Sequence, residues 1–83
     1  MSDELSRKYL TILGEQIYQQ RTHNSLSQEK LADLSNLHRT YISKVEHGNN
    51  LTVKALINIC SALDLKPSEI LKVTEGVLNN ESK

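Results

Sequence analysis

No stretch of this 83-residue sequence approaches the ~20 apolar residues of a membrane span. Its single cysteine rules out an intrachain disulfide. The three glycines form no glycine-rich loop that could cradle a nucleotide phosphate. Strand-like alternation of useful length, internal repeats and low-complexity tracts are all missing. A charge excess is missing too: ten Lys and Arg balance ten Asp and Glu. His23, His38, His47 and Cys60 match no metal-ligand spacing, so no metal is expected. No Ser-His-Asp order stands out, and paired acids such as Asp3 and Glu4 lie at an expected tail, so neither catalysis nor a cofactor is expected. The opening MSDELSRK is polar, with no apolar run resembling a signal peptide, and a cytoplasmic protein is expected.

What is present is helical. Eighty-three residues make one domain, with a core expected over about 5–74 and a tail over 75–83. A chain of this size buries only roughly 60% of its unfolded surface, so a second subunit is the obvious source of further burial. Helix one is expected from Glu4 or Leu5 to Thr22, with Leu5, Leu10, Leu13 and Ile17 as its apolar stripe, and HNS at 23–25 breaks it. Ser27 caps a second helix carrying Leu31, Ala32 and Leu34. A third helix ends at Gly48, which tolerates positive φ, and Asn49 and Asn50 form a loop. Thr52 caps a fourth helix, VKALINICSALDL, with Val53, Leu56, Ile57, Cys60 and Leu63 as its apolar set. Cys60, among apolar neighbours, reads as a small core residue rather than a reactive thiol. Pro67 opens a short fifth helix through Ile70, Leu71 and Val73, which Gly76 is expected to end. The fold expected is a compact all-α bundle of five helices.

The stretch SNLHRTYISKVEHG at 35–48 carries the most information. Leu37, Ile42 and Val45 share one stripe that can sit on a core. Left outside are Arg39, Thr40, Ser43 and Lys44. Arg can bond guanine bidentately, Lys reaches guanine acceptors, and Thr offers a base edge both a hydroxyl and a methyl. Two short helices joined by a tight turn, the second bearing such side chains, describe a helix-turn-helix, and the chain is expected to read double-stranded DNA. The segment 27–48 is itself neutral, since Lys30, Arg39 and Lys44 face Glu29, Asp33 and Glu46. Sequestering Glu46 inside the fold would leave the exposed face mildly positive.

With LGEQIYQQR at 13–21, SQEKLADLSNLHRTYISKVEHG at 27–48 and SALDL closing helix four, the chain resembles the phage repressor and Cro-type helix-turn-helix family, a lambda-repressor-like DNA-binding domain, over about residues 10–74. SNLHRTYIS followed by NNLTVKALINIC is similar, more narrowly, to controller proteins of bacterial restriction–modification systems. That resemblance implies a homodimeric transcription regulator on palindromic sites, controlling restriction–modification genes and its own gene, with RNA polymerase a candidate partner. Arg39, Thr40, Ser43 and Lys44 are then the expected base contacts. Gln28, Tyr41, Asn49, Asn50, Thr52 and Lys54 are the expected contacts to the DNA backbone. Arg21 and Glu46 match a family pair that is structural, not catalytic. Leu65, Ile70, Leu71 and Val73 are assigned to the dimer interface. The chain departs from the family at Tyr18, where a basic residue is frequent, at Ser25, where glycine is frequent, and in EHGNNLT, which lacks a loop arginine. These departures weaken expected phosphate affinity more than base reading. A phage or plasmid repressor, or an antitoxin-like protein-binding module, remains as an alternative reading.

Overall fold

The computed structural model describes residues 3–81. Five helices follow one another: α1 (Asp3–His23), α2 (Gln28–Ser35), α3 (Arg39–Glu46), α4 (Val53–Ala62) and α5 (Pro67–Glu81). Their starts use short polar side chains. Ser27 Oγ accepts from Lys30 N at 2.9 Å, and Thr52 Oγ1 accepts from Ala55 N at 3.1 Å. Pro67 is the first residue of α5, and Glu69 Oε1 accepts from Lys66 N at 2.7 Å, the returning arm of a capping box.

The four stops before each connection are built alike. A residue with positive φ follows the helix, and the next N–H reaches back five residues: Leu26 to Arg21 O, Leu37 to Ala32 O, Asn49 to Lys44 O and Leu65 to Cys60 O. The positive-φ residues are Ser25, Asn36, Gly48 and Asp64, at φ 59, 58, 89 and 58. In three of the four a leucine follows and turns back onto the core. Short polar residues can occupy this region, at a steric cost that glycine avoids.

The core is one cluster to which every helix contributes: Leu13 and Ile17, Leu31 and Ala32, Ile42 and Val45, Leu56, Ile59, Cys60 and Leu63, and Ile70. Ile17, Leu31, Ile42 and Ile59 are completely buried, each contributing roughly 1.5–3 kcal/mol of burial free energy. Burial also pushes the Cys60 thiol above its ordinary pKa, as expected of an inert core residue. The buried hydroxyls of Ser35 and Thr74 donate to carbonyls one turn back, so neither is left unpaired. α1 lies along α5 and crosses α3, while α2 packs on both α3 and α4.

Several expectations are corrected. α5 does not end at Gly76 but runs to Glu81, because Thr74, Val77 and Leu78 continue the inward row begun by Ile70. The tail expected over 75–83 is therefore helical through Glu81, and its last two residues lie outside the described residues. Ile70, assigned to a dimer surface, is only 3% exposed because it completes the protein's own core. Leu65 and Leu71 are half-buried against that core, whereas Val73 faces outward. On α4 the inward row is Leu56, Ile59, Cys60 and Leu63, and Val53 and Ile57 are exposed. Leu5 and Leu34 are exposed as well, while Ile12 of α1 and Ser35 of α2 are buried.

α1 and α3 approach closely at Gly14 of α1. A Cβ there would collide with the Val45 carbonyl oxygen and stand 3.0 Å from that of Glu46. Gly14 thus lets the end of α3 rest directly on the α1 backbone. At Gly76 a Cβ meets nothing within 4 Å. The same substitution should act in opposite directions at these two sites. Gly14→Ala should destabilise by about 1–3 kcal/mol through forced separation of α1 and α3. Gly76→Ala should stabilise by roughly 0.5–1 kcal/mol through helix propensity. Urea unfolding of both variants measures each sign; a neutral or stabilising Gly14→Ala would contradict the crossing described.

Candidate nucleic-acid interface

α2 and α3 are joined by Asn36, Leu37 and His38. Asn36 takes the left-handed conformation, Leu37 folds onto the core, and His38 stands at the N-cap of α3 without a side-chain capping bond. This turn rotates the chain so that Ile42 and Val45 point inward. Arg39, Thr40 and Lys44 are then exposed and Ser43 is half-exposed on the opposite side. The four expected base-reading residues therefore form one stripe on the outside of α3. His47 extends it by one turn, with its Nδ1 2.7 Å from the Ser43 carbonyl oxygen.

Behind the stripe lies a buried ion pair. Arg21 Nε donates to Glu46 Oε2 at 2.6 Å and Arg21 Nη2 donates to Glu46 Oε1 at 3.1 Å. Arg21 Nη1 donates to Leu26 O at 2.8 Å, tying the end of α1 to the segment leading into α2. The two side chains are 10% and 4% exposed. Hydrogen bonding to Glu46 holds the guanidinium pKa above the usual arginine range, outweighing the opposing effect of burial. Tyr18, at the position noted for lacking a basic residue, places its ring 5.2 Å from the Arg21 guanidinium carbon. Gln28 joins the pair: its Nε2 donates to Glu46 Oε1 at 3.0 Å. Arg39 Nη1 in turn donates to Gln28 Oε1 at 3.4 Å. Gln28, expected to face DNA phosphate, is thus bonded within the protein at both ends of its carboxamide.

A second group assembles at the start of α4. Tyr41, Thr52 and Lys54 line one concavity together with Asn36, Leu37, Ala55 and Asn58. Tyr41 Oη accepts from Thr52 N at 3.2 Å, which leaves the phenolic proton free to donate outward. Thr52 Oγ1 accepts from Ala55 N, so its proton is free as well. Two hydroxyl donors, a lysine and the positive end of a helix suit a phosphate oxygen. The loop residues separate. Asn49 Nδ2 donates to Lys44 O at 2.9 Å and closes the end of α3. Asn50 is exposed and lines a shallow surface with Asp3, Ser6, Arg7, Leu10, Gly48 and Asn49.

Sequence reasoning missed two contributors here. Arg7 of α1 stands beside the loop after α3, where the chain lacks a loop arginine; one cation in a polar helix face gives no signal of this. Gly14 does leave a signal, since a glycine inside a helix costs about 1 kcal/mol relative to alanine.

Residues 17–70 match the helix-turn-helix family. The chain is 44% identical over 71 residues to control protein C.SmaI of Serratia marcescens, covering 84% of this chain and 82% of that one. It is 40% identical over 65 residues to control protein C.BamHI of Bacillus amyloliquefaciens, covering 76% and 80% respectively. Among solved structures, the restriction-modification controller protein C.AhdI from Aeromonas hydrophila superposes with a TM-score of 0.72 at 39% identity, over 74% of this chain and 94% of that one.

The concavity at the start of α4 leads to a measurable expectation. Lys54→Ala should weaken binding to all duplexes about equally and flatten the slope of log affinity against log salt by about one unit. Tyr41→Phe should weaken binding with the slope unchanged, because it removes a donor and no charge. Fluorescence anisotropy over a salt series separates the two. A sequence-selective loss from Lys54→Ala would mean that this concavity does not face the DNA backbone.

Proposed function

The chain belongs to the helix-turn-helix family and, within it, to the control proteins, and on that premise we propose that it regulates transcription by binding specific DNA as a homodimer. Its targets are restriction–modification genes and its own gene. The observation that carries this reading is the outer stripe of α3. Arg39, Thr40, Ser43 and Lys44 lie together on a helix whose other side is locked into the core. A helix serving only to hold a protein partner has no need of that set. Glu46 is sequestered by Arg21 behind the stripe, so the exposed side chains of α3 are neutral or cationic.

The net charge of zero and the few cations per subunit make single-subunit affinity low. A two-fold partner doubles the contacts and sets two recognition helices about one DNA turn apart, ~34 Å, which selects a palindrome. The surface that suits such a partner is the elbow between α4 and α5, not the buried Ile70. A concavity there is lined by Ile57, Ser61, Asp64, Leu65, Lys66, Pro67 and Glu69. Ile57 is 50% exposed, and Val53 lies one turn before it on α4. Val73 lies one turn after Glu69 on α5 and is also 50% exposed. Leu65 and Val73 keep their assignment to the interface, joined by Ile57. Leu71, half-buried against the core, contributes less.

Two experiments test this reading. Arg39→Ala should cost roughly 1–3 kcal/mol on the preferred duplex and relax preference at one position per half-site, leaving the fold intact. Unchanged discrimination in a gel-shift series would remove Arg39 from the reading set. Ile57→Asp should give a folded monomer whose operator affinity is lower by roughly a hundredfold, since avidity is lost. Sedimentation and binding on the same samples measure both. A wild-type protein that is monomeric at tens of micromolar yet holds a single half-site tightly would contradict the dimer.

A further inference from the structure

We infer that Arg7 of α1 contacts the DNA phosphate backbone, filling with Asn50 the place left open by the missing loop arginine beyond the C-terminal end of α3. This rests on the reading of α3 as the recognition helix and adds a binding residue from outside the segment 17–70 that matches the helix-turn-helix family. The outer stripe of α3 does not stop at Lys44. His47 prolongs it, and Gly48, Asn49 and Asn50 carry the surface on to a concavity closed from the side of α1 by Ser6, Arg7 and Leu10. Two backbone contacts fix how α1 meets this loop. Gly14 lies against the Val45 and Glu46 carbonyls, and Gly48, at φ 89, lies against Thr11. A Cβ on Gly48 would stand 3.0 Å from Thr11 Oγ1 and 3.1 Å from Thr11 Cα. Arg7 is one turn before Thr11 on the same side of α1. Its register against the loop is therefore set by backbone packing, without any bond of its own side chain.

Arg7 is also free to bind. It is exposed, and among the described residues it has neither an ion pair nor a side-chain hydrogen bond. Its neighbour differs. Lys8 Nζ is 4.0 Å from Glu4 Oε2, whereas Asp3, at the same spacing from Arg7 and lining the same concavity, makes no such pair. Asn49 spends its Nδ2 on Lys44 O, while the Asn50 side chain is exposed and unpaired among the described residues. A guanidinium with every donor free, beside a free carboxamide, suits the unesterified oxygens of a phosphodiester. An acidic protein segment offers similar chemistry, and position decides for the duplex. An eight-residue helix is about 12 Å long. The major groove is about 12 Å wide, so side chains just beyond the end of α3 come within reach of a flanking phosphate strand.

The test compares wild type, Arg7→Ala, Arg7→Lys and Lys8→Ala by anisotropy over a salt series. The probe is a duplex enriched from a random-sequence pool by the wild-type protein. Arg7→Ala should lower affinity roughly three- to tenfold and flatten the slope of log affinity against log salt by about one unit. Arg7→Lys should restore the slope but not all of the affinity, because an ammonium cannot bond a phosphate bidentately. Lys8→Ala removes the same charge one residue away and should change the slope much less. Equal effects of Arg7→Ala and Lys8→Ala would reduce Arg7 to a share of the general field and overturn the proposal. A second arm uses duplexes in which one phosphate at a time is replaced by a neutral methylphosphonate. At one position per half-site the replacement should weaken wild type and leave Arg7→Ala unchanged; the same pattern of losses in both proteins would overturn the proposal. Sedimentation of each variant separates DNA contact from assembly, and an Arg7→Ala protein that has lost dimerisation relative to wild type would place Arg7 in the subunit interface instead. If wild type enriches no duplex, the functional reading fails and the Arg7 contact with it. If wild type enriches one and Arg7→Ala binds it equally well, only the Arg7 contact fails.

Discussion

The contact on which the rest of the structure depends is the bidentate pair of Arg21 and Glu46. It joins the last turn of α1 to the last turn of α3, and through Leu26 O and Gln28 it reaches the entry and first turn of α2. Three helices are referred to one carboxylate. The net stabilisation from such a pair is small after desolvation, but removing either partner strands a buried charge, at a cost of about 3–5 kcal/mol. What the pair supplies is position. Apolar contacts from Ile42 and Val45 would let an eight-residue helix slide or roll, since dispersion has little direction. A carboxylate with fixed donors does not permit this. Gly14 completes the constraint by allowing the last carbonyls of α3 to press on the α1 backbone.

With α3 held from behind, its front is free to be chosen for chemistry. Arg39, Thr40, Ser43 and Lys44 make no contribution to the core, so their identities can follow a DNA sequence without cost to the fold. Support comes from a separate place, the start of α4, where Tyr41 and Thr52 orient each other through the Thr52 N–H. The division is physical: hydroxyls and a helix end suit phosphate, which is the same in every sequence, and the α3 stripe suits base edges, which are not. A neutral protein built this way gains little from long-range attraction and relies on local geometry, and in the proposed homodimer symmetry would double its contacts.

Much of this was legible in the sequence. The five helices, the caps at Ser27 and Thr52, Pro67 at the start of α5 and the inward–outward split of α3 follow from spacing and local chemistry. The stops were harder to see, because Ser25, Asn36 and Asp64 do at positive φ what glycine would announce openly. Gly76, which does look like a stop, lies within a helix because the apolar row on α5 outlasts it. Ile70 and Val73 carry equal hydrophobic weight on paper, and only the pose of α5 against α1 decides which is core and which is surface. Val53 and Ile57 were misplaced for the same reason, since α4 has apolar residues on more than one side. The internal use of Gln28 had no local signal, as both its partners come from α3, eleven and eighteen residues away.

The central claim is that α3, fixed by Arg21 and Glu46, presents its outer stripe to DNA. It is tested most directly by titrating an enriched duplex into the 15N-labelled protein and following backbone and Arg39 side-chain resonances. The account predicts that the largest shifts fall on 39–44, with a second group at Thr52 and Lys54, and that the outward face of α5 stays still. Shifts concentrated on α1 or α5, with residues 39–44 unmoved at saturation, would contradict it.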